Sequence, residues 1–391
     1  MPIKLWNKNF ILTLVSNIFY ALVFFTLMAT IAEYSVTRYG ATEAIAGLCV
    51  SIFVIGALFA RIVSGFLLDT AKRRTLLFIG GALSVLGSLL YFIPLGLVGF
   101  LAVRTINGMA WGVVCNLLNA AVIDFIPPGR LGEGIGYYTM GNPIGSGLGP
   151  LIGIFIASRF GMTAEFAFIL AANLLPLILL PLIGVKEREV SAPKKAARPR
   201  LSDIFEKRAL PISAVTLLMT TCFSALPAFM QLYTAQRGVG WVAPFYFIAY
   251  SAMVVIIRPP SGKILDRYGD NPLITPTMLL FCAGVFLLSL AGSAAWFFAC
   301  AALCAAGYGS FFSAFQAIAV KVSPPERSGL AMSTIYIFAD TGMGVGPFIW
   351  GGVVSALGYS RTFMIEAVAV LIALALYYAA HGRLPAAKRK R

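Results

Sequence analysis

Charge is scarce in this sequence, and acid is scarcer than base. Asp, Glu, Lys and Arg make up 12% of its 391 residues, with 15 Asp and Glu against 30 Lys and Arg. So few charges cannot cover a water-soluble body of this length, which excludes the ordinary soluble globular class. Histidine is scarcer still: the single copy, His381, stands just before a basic C-terminal tail. Imidazole catalysis and His-ligated metal chemistry therefore have no basis, and no glycine-rich phosphate loop for ATP occurs. No enzyme activity, metal or cofactor is expected. The six cysteines, Cys49, Cys115, Cys222, Cys282, Cys300 and Cys304, all fall in apolar runs. Cys300 and Cys304 share a helix face, but without His or carboxylate neighbours they do not make a metal site.

What is present is apolar. Hydrophobic residues make up 59% of the chain and the mean hydropathy is +0.88. Runs long enough to cross about 30 Å of hydrocarbon predict twelve spanning helices. They lie at about 9–32, 43–66, 75–94, 97–123, 132–157, 162–184, 209–234, 241–263, 273–292, 295–320, 328–355 and 360–380. The fold class is an all-α membrane protein. The length and flanks of the first helix do not fit a cleaved leader.

Residues 61–166 repeat without a gap at 258–363, an offset of 197. Under it Arg61 falls on Arg258, Gly65 on Gly262, Asp69 on Asp266, Gly112 on Gly309, Pro127 on Pro324, Arg130 on Arg327, Pro150 on Pro347 and Gly161 on Gly358. Glycines, prolines and charges mark turns and helix ends, so their recurrence points to a shared structural plan. The chain reads as two pseudo-symmetric six-helix bundles, residues 1–184 and 209–391, joined by a basic linker at 185–208. Within that linker, Leu201 to Arg208 is either a short amphipathic helix or a plain tether.

Orientation follows from the loops. With both termini inside, the inner segments hold Lys4, Lys8, Lys72, Arg73, Arg74, Arg130, the linker, Lys263, Arg267, Lys321, Arg327 and the tail. The outer side keeps Arg38, Arg159, Arg237 and Arg361. The net charge of +15 is thereby assigned to anionic lipid rather than nucleic acid. The expected location is the bacterial inner membrane, as a monomer.

After the second helix come Gly65, Asp69, Arg73 and Arg74, matched in the second half by Gly262, Asp266, Arg267 and Gly269. Asp124 precedes Phe-Ile-Pro-Pro, which fixes it at the inner end of the fourth helix, at the depth of Arg73. The offset carries Arg73 onto Asp270 and Asp124 onto Lys321, reversing both signs. A pairing constraint leaves such a swap, as do two independent changes. On these residues the chain resembles the major facilitator superfamily, with Thr70 and Lys72 departing from its inner-loop pattern. The resemblance implies that Asp69, Arg73 and Asp124 latch the cytoplasmic side, with Asp266, Asp270 and Lys321 as second-half counterparts.

On the fifth helix stand Gly136, Gly145, Gly149, Pro150 and Gly153, echoed by Gly342, Gly346, Pro347 and Gly351. Spacings of four put bare backbone on one face, which serves tight helix packing. The pattern also resembles the antiporter motif of the superfamily's drug/proton exporters, departing at Ile154. Arg104, deep in the fourth helix, resembles another motif of that branch, with a role either in proton coupling or in structural hydrogen bonding. Its candidate acid partners are Glu33 and Asp340. Asp340 has about twelve residues of the eleventh helix on either side, and either loads and releases a proton or stays protonated as a hydrogen-bonding group. Glu366 is a weaker candidate.

Helices 1, 4, 7 and 10 line the cavity in the superfamily. The resemblance therefore makes Asn17, Tyr20, Asn116, Asn119, Gln231, Tyr233, Tyr308 and Gln316 candidate substrate contacts. Amides and aromatics without a fixed charge suit an adaptable, mainly apolar pocket. The expected function is proton-coupled efflux of an amphiphilic, drug-like molecule by rocking of the two halves. The rivals are a dedicated exporter of one endogenous metabolite, such as a sugar or metal chelator, a facilitative importer, and a receptor or scramblase.

Overall fold

The computed structural model describes residues 5–67, 72–127, 130–185, 205–324 and 327–383. Among them the regular structure is helical throughout, without a strand. The first half contributes α1 (Lys8–Tyr39), α2 (Glu43–Leu67), α3 (Arg73–Leu90), α4 (Gly96–Val122), α5 (Leu131–Thr139), α6 (Gly141–Phe160) and α7 (Met162–Leu179). The second half contributes α8 (Leu210–Gln236), α9 (Val242–Tyr268), α10 (Asn271–Ser289), α11 (Ala294–Val322), α12 (Ser328–Leu357) and α13 (Tyr359–Tyr377). Eleven described helices are long and apolar enough to cross a membrane, and Val242–Arg258 adds a shorter apolar stretch. Together they occupy the twelve expected positions. In lipid every backbone polar group needs an internal partner, so a chain this apolar has no alternative to helices or a closed barrel.

Most boundaries shift by a few residues, and two departures are larger. The fifth span is broken at Met140 into α5 and α6, each with its own helical ladder. The first helix runs seven residues further than expected, to Tyr39, because its polar last turns stay helical beyond the apolar run. Its start is fixed by Asn7, whose Oδ1 accepts from the Phe10 N–H at 3.0 Å. Between α6 and α7 the chain turns on Gly161 at φ +84°, and between α12 and α13 on Gly358 at φ +75°. These repeat partners occupy backbone space that a side chain rarely adopts, which explains why this match survives in both halves.

The chain forms two compact units: Met1–Gly40 with Ile52–Ala197, and Ala41–Ser51 with Arg198–Arg391. In the first, α1 packs along α6 and also meets α4 and α7, while α3 packs on α4 and α7. Its core gathers Tyr20, Leu77, Val114, Leu118, Phe125 and Leu180. In the second, α8 packs along α12 and α13, α10 packs on α11 and α13, and α9 packs on α11. The pairing of first span with fifth and sixth, and of third with fourth and sixth, thus occurs in each unit. Ala41–Ser51, with the start of α2, groups with the second unit. The reason is close packing on α12: the Phe348 N–H donates to Ser51 Oγ at 3.0 Å and the Ala44 N–H to Ser355 Oγ at 3.1 Å. A side chain at Gly47 would run into the Pro347 carbonyl, and one at Gly351 into that of Glu43.

Candidate functional site

The charge pairs form at the ends of helices. Arg73, first residue of α3, is buried and places Nη1 3.5 Å from Asp124 Oδ2 in the turn after α4. Asp69 lies outside the described residues. In the second unit Lys321 Nζ donates to both oxygens of Asp270, at 3.1 and 3.0 Å. The sign-reversed partners therefore meet in the same sense as the originals. Asp266 lies in the last turns of α9. The sequence did not reveal the third member of this cluster: His381 Nε2 lies 2.8 Å from Asp270 Oδ2. His381 reaches it because α13 ends in a wide π-turn at Tyr378–Gly382, a geometry that apolar periodicity does not encode. Burial pushes the Asp270 carboxyl up, but hydrogen bonds from His381 and Lys321, and their charges, outweigh this and hold it below the usual aspartate range.

The glycines of the fifth span form a seam against α1. A side chain at Gly145 would meet Ala21, one at Gly149 would meet Phe25 and Thr26, and one at Gly153 would meet Thr26, Thr30 and Glu165. Thr26 Oγ1 donates across the seam to the Gly149 carbonyl at 3.0 Å. Pro150 lies within α6, where its missing N–H weakens the helix ladder at this approach. Gly136 belongs to the preceding α5. In the second unit Gly342 and Gly346 face α8 in the same way, against Leu217, Thr220, Thr221 and Ser224.

Arg104 is 2% exposed, donates from Nη1 to Tyr91 Oη at 3.3 Å, and holds its guanidinium 4.7 Å from the centre of the Phe53 ring. Glu33 is half-buried toward the end of α1. Asp340, in α12, lies near enough to Tyr308 to act on it electrostatically, which brings two expected site residues together. Tyr308 also stacks on Phe223, with ring centres 3.8 Å apart. Two buried acids stand out beside these. Glu366 is fully buried with neither carboxylate oxygen partnered. Glu165, absent from the expected set, is fully buried, accepts from Thr30 Oγ1 at 2.6 Å through Oε1, and leaves Oε2 without a partner. It is the sole acid in the apolar run of α7, a signal the sequence did carry. As the fourth residue of its helix, however, an acid ordinarily reaches water.

The expected substrate contacts divide. Asn119 is exposed and accepts from Tyr138 Oη at 2.8 Å. Asn116, Tyr308 and Gln316 are half-buried, and so is Gln231, whose Oε1 has no partner. Asn17 donates to the Tyr138 carbonyl at 2.9 Å. Tyr20 and Tyr233 are fully buried, and Tyr233 is tied to the Leu288 carbonyl at 2.6 Å. Tyr233 is thus a packing residue, a role periodicity does not separate from cavity lining. The first unit also carries a cleft of about 630 Å³ between the ends of α1, α3 and α7, lined by Tyr34, Arg38, Tyr91, Thr163 and Phe166 among others.

The family model described as Major Facilitator Superfamily matches residues 13–294 and 239–391. Among curated relatives, an uncharacterised MFS-type transporter of Methanocaldococcus jannaschii is 25% identical, over 84% of this chain and 87% of its own. The multidrug resistance protein MdtG of Klebsiella pneumoniae is 26% identical, over 98% of this chain and 95% of its own. That of Enterobacter lignolyticus is also 26% identical, covering 94% and 90%. Among solved structures, a peptide transporter POT superposes with a TM-score of 0.81 at 15% identity, covering 95% of this chain and 94% of that one. A bacterial homologue of the human lysosomal transporter Spinster gives 0.77 at 14%, covering 97% of each. At such identities the structures speak to the fold alone.

Proposed function

The chain belongs to the major facilitator superfamily, and from that premise we propose that this multi-pass membrane transporter is a proton-coupled exporter of amphiphilic, drug-like molecules working by alternating access of its repeats. The observation that carries the reading is the fifth-span glycine seam. Gly145, Gly149 and Gly153 bring α6 onto the backbone of α1, the element expected to line the cavity, so that a small change in packing there moves a substrate-facing helix. Relatives named as multidrug resistance proteins match nearly the whole chain. The half-buried amides and aromatics supply no fixed charge that would restrict the cargo to one chemistry.

In this reading a proton entering from outside neutralises Asp340 or Glu33. The repeats rock, the Arg73–Asp124 and Asp270–Lys321 pairs brace the cytoplasmic helix ends within each repeat, and the cargo leaves outward. In this reading the protein works as a monomer in the inner membrane, with both termini cytoplasmic. The test uses everted vesicles with an imposed proton gradient: adding a cargo molecule should release protons, and cargo movement with no proton flux would defeat the reading. Drug sensitivity and secreted metabolites compared between a deletion strain and its parent then separate a broad exporter, which changes sensitivity to several compounds, from a dedicated one, which changes a single metabolite.

A further inference from the structure

We propose that Glu165 is a proton-binding carboxyl built into the glycine seam, holding its proton on Oε2 and reporting the packing of α1 against α6. The inference rests on the proton-coupled reading above. It starts from a geometric asymmetry within one side chain: Oε1 accepts from Thr30 Oγ1 at 2.6 Å, while Oε2 is buried without a partner. An ionised carboxylate in a dry interior with one oxygen unsatisfied is costly, whereas the acid is a neutral group that accepts through one oxygen and carries hydrogen on the other.

The place is built by the seam itself. A side chain at Gly153 would stand 3.3 Å from Glu165 Oε1 and 2.7 Å from Thr26 Cγ2, so the glycine keeps open the space the carboxyl occupies. Thr26 and Thr30 are successive turns of one face of α1; the first ties α1 to the Gly149 carbonyl and the second ties it to Glu165. Any shift of α1 along α6 therefore changes the hydrogen bond that Glu165 accepts. The repeat supplies the contrast. Under the offset of 197, Gly153 falls on Trp350 and Glu165 on Thr362. Trp350 Nε1 donates to the Thr221 carbonyl at 2.8 Å and Thr362 Oγ1 to the Gly358 carbonyl at 2.8 Å. The second unit thus fills the corresponding place with an indole and a satisfied hydroxyl, and its own buried acid, Glu366, stands one turn further along the last span.

Glu165 is itself closed from solvent, and Phe166, next to it in sequence, lines the cleft at the ends of α1, α3 and α7, the route by which a proton would reach it when the seam loosens. A hydronium there gives its proton to Oε2 and leaves water behind; on release the O–H bond breaks and the proton returns to water, leaving a carboxylate. Glu33 of α1 acts on Glu165 electrostatically; Tyr34 of α1 and Tyr91 at the end of α3 pack on the adjacent Phe166, Arg104 of α4 donates to Tyr91, and Arg38 lines the cleft. In α6 the sequence supplies Arg159, six residues beyond Gly153.

The test is infrared pH-difference spectroscopy on the purified protein. Wild type should show a protonated-carboxyl stretching band that is lost in E165Q, retained in E33Q, moved in E165D, and shifted to higher frequency in T30V, where the carbonyl loses its donor. A spectrum of E165Q that superimposes on wild type overturns the proposal, as does a T30V band that stays in place. In proteoliposomes the ratio of cargo transport with and without a pH gradient should fall toward one in E165Q. A wild-type ratio of one defeats the proton-coupled reading instead, while the infrared bands decide Glu165 independently.

Discussion

At the scale of single residues, the acids divide by what surrounds them. Asp340 acts electrostatically on Tyr308 within the second unit, and an Asn there keeps the shape while removing the ionisable group. D340N is therefore expected to lower cargo-induced proton release in everted vesicles by roughly tenfold or more, and full release in this variant would remove Asp340 from the coupling set. Arg104 has its own check. Its hydrogen bond to Tyr91 and its seat over Phe53 are geometries a lysine cannot reproduce. R104K should lower thermal stability through these contacts, by about 1 kcal/mol, in addition to any loss of coupling. Arg104 and Asp340 were legible in the sequence because a charge inside an apolar run is conspicuous. Glu165 was not read because its burial is made by Thr30 and Gly153, which come from two other helices.

At the scale of elements, the seam between α1 and α6 depends on missing side chains. A Cβ at Gly149 would stand 2.9 Å from both Phe25 Cβ and Thr26 N, and backbone cannot move aside as a side-chain tip does. Gly149→Leu should therefore abolish transport and cost about 1–3 kcal/mol of stability, read as a lower melting temperature in detergent, whereas Thr26→Val should cost about 1 kcal/mol through the lost bond to the Gly149 carbonyl. The Asp270 cluster gives a pH dependence with a definite sign. A carboxyl whose folded-state pKa is lowered contributes stability that is present above its unfolded value, about 3.9, and is lost as pH falls through the lowered value. The melting-temperature gap between wild type and D270N should accordingly hold steady through neutral pH and close only in strong acid. A gap that closes near neutrality would remove the lowered carboxylate as the source of the cluster's strength. The sign reversal made the Asp270 and Lys321 pairing readable from sequence. The contribution of His381 depends on the π-turn that ends the last span, and no local pattern announced it.

At the scale of the whole molecule, the offset of 197 residues specified more than helix number. It carried over the turn glycines Gly161 and Gly358 and the order in which spans pack, both of which recur in each unit. It did not specify the packing of the start of α2, since that depends on Gly47 and Gly351 meeting backbone carbonyls from a distant part of the chain. The direction of export rests on orientation, and orientation rests on Lys and Arg in the loops. All six native cysteines lie within the helices, so a cysteine-free background carrying one introduced thiol tests it directly. Phe160, at the end of α6, is 66% exposed, and Lys72, before α3, is also exposed. A membrane-impermeant maleimide should label F160C in intact cells and K72C only in everted vesicles. Labelling of K72C in intact cells would invert the topology. The cleft lined by Thr163 and Phe166 would then open to the cytoplasm, and a proton entering there would have to leave outward against the inward-directed gradient, which would defeat coupling through Glu165.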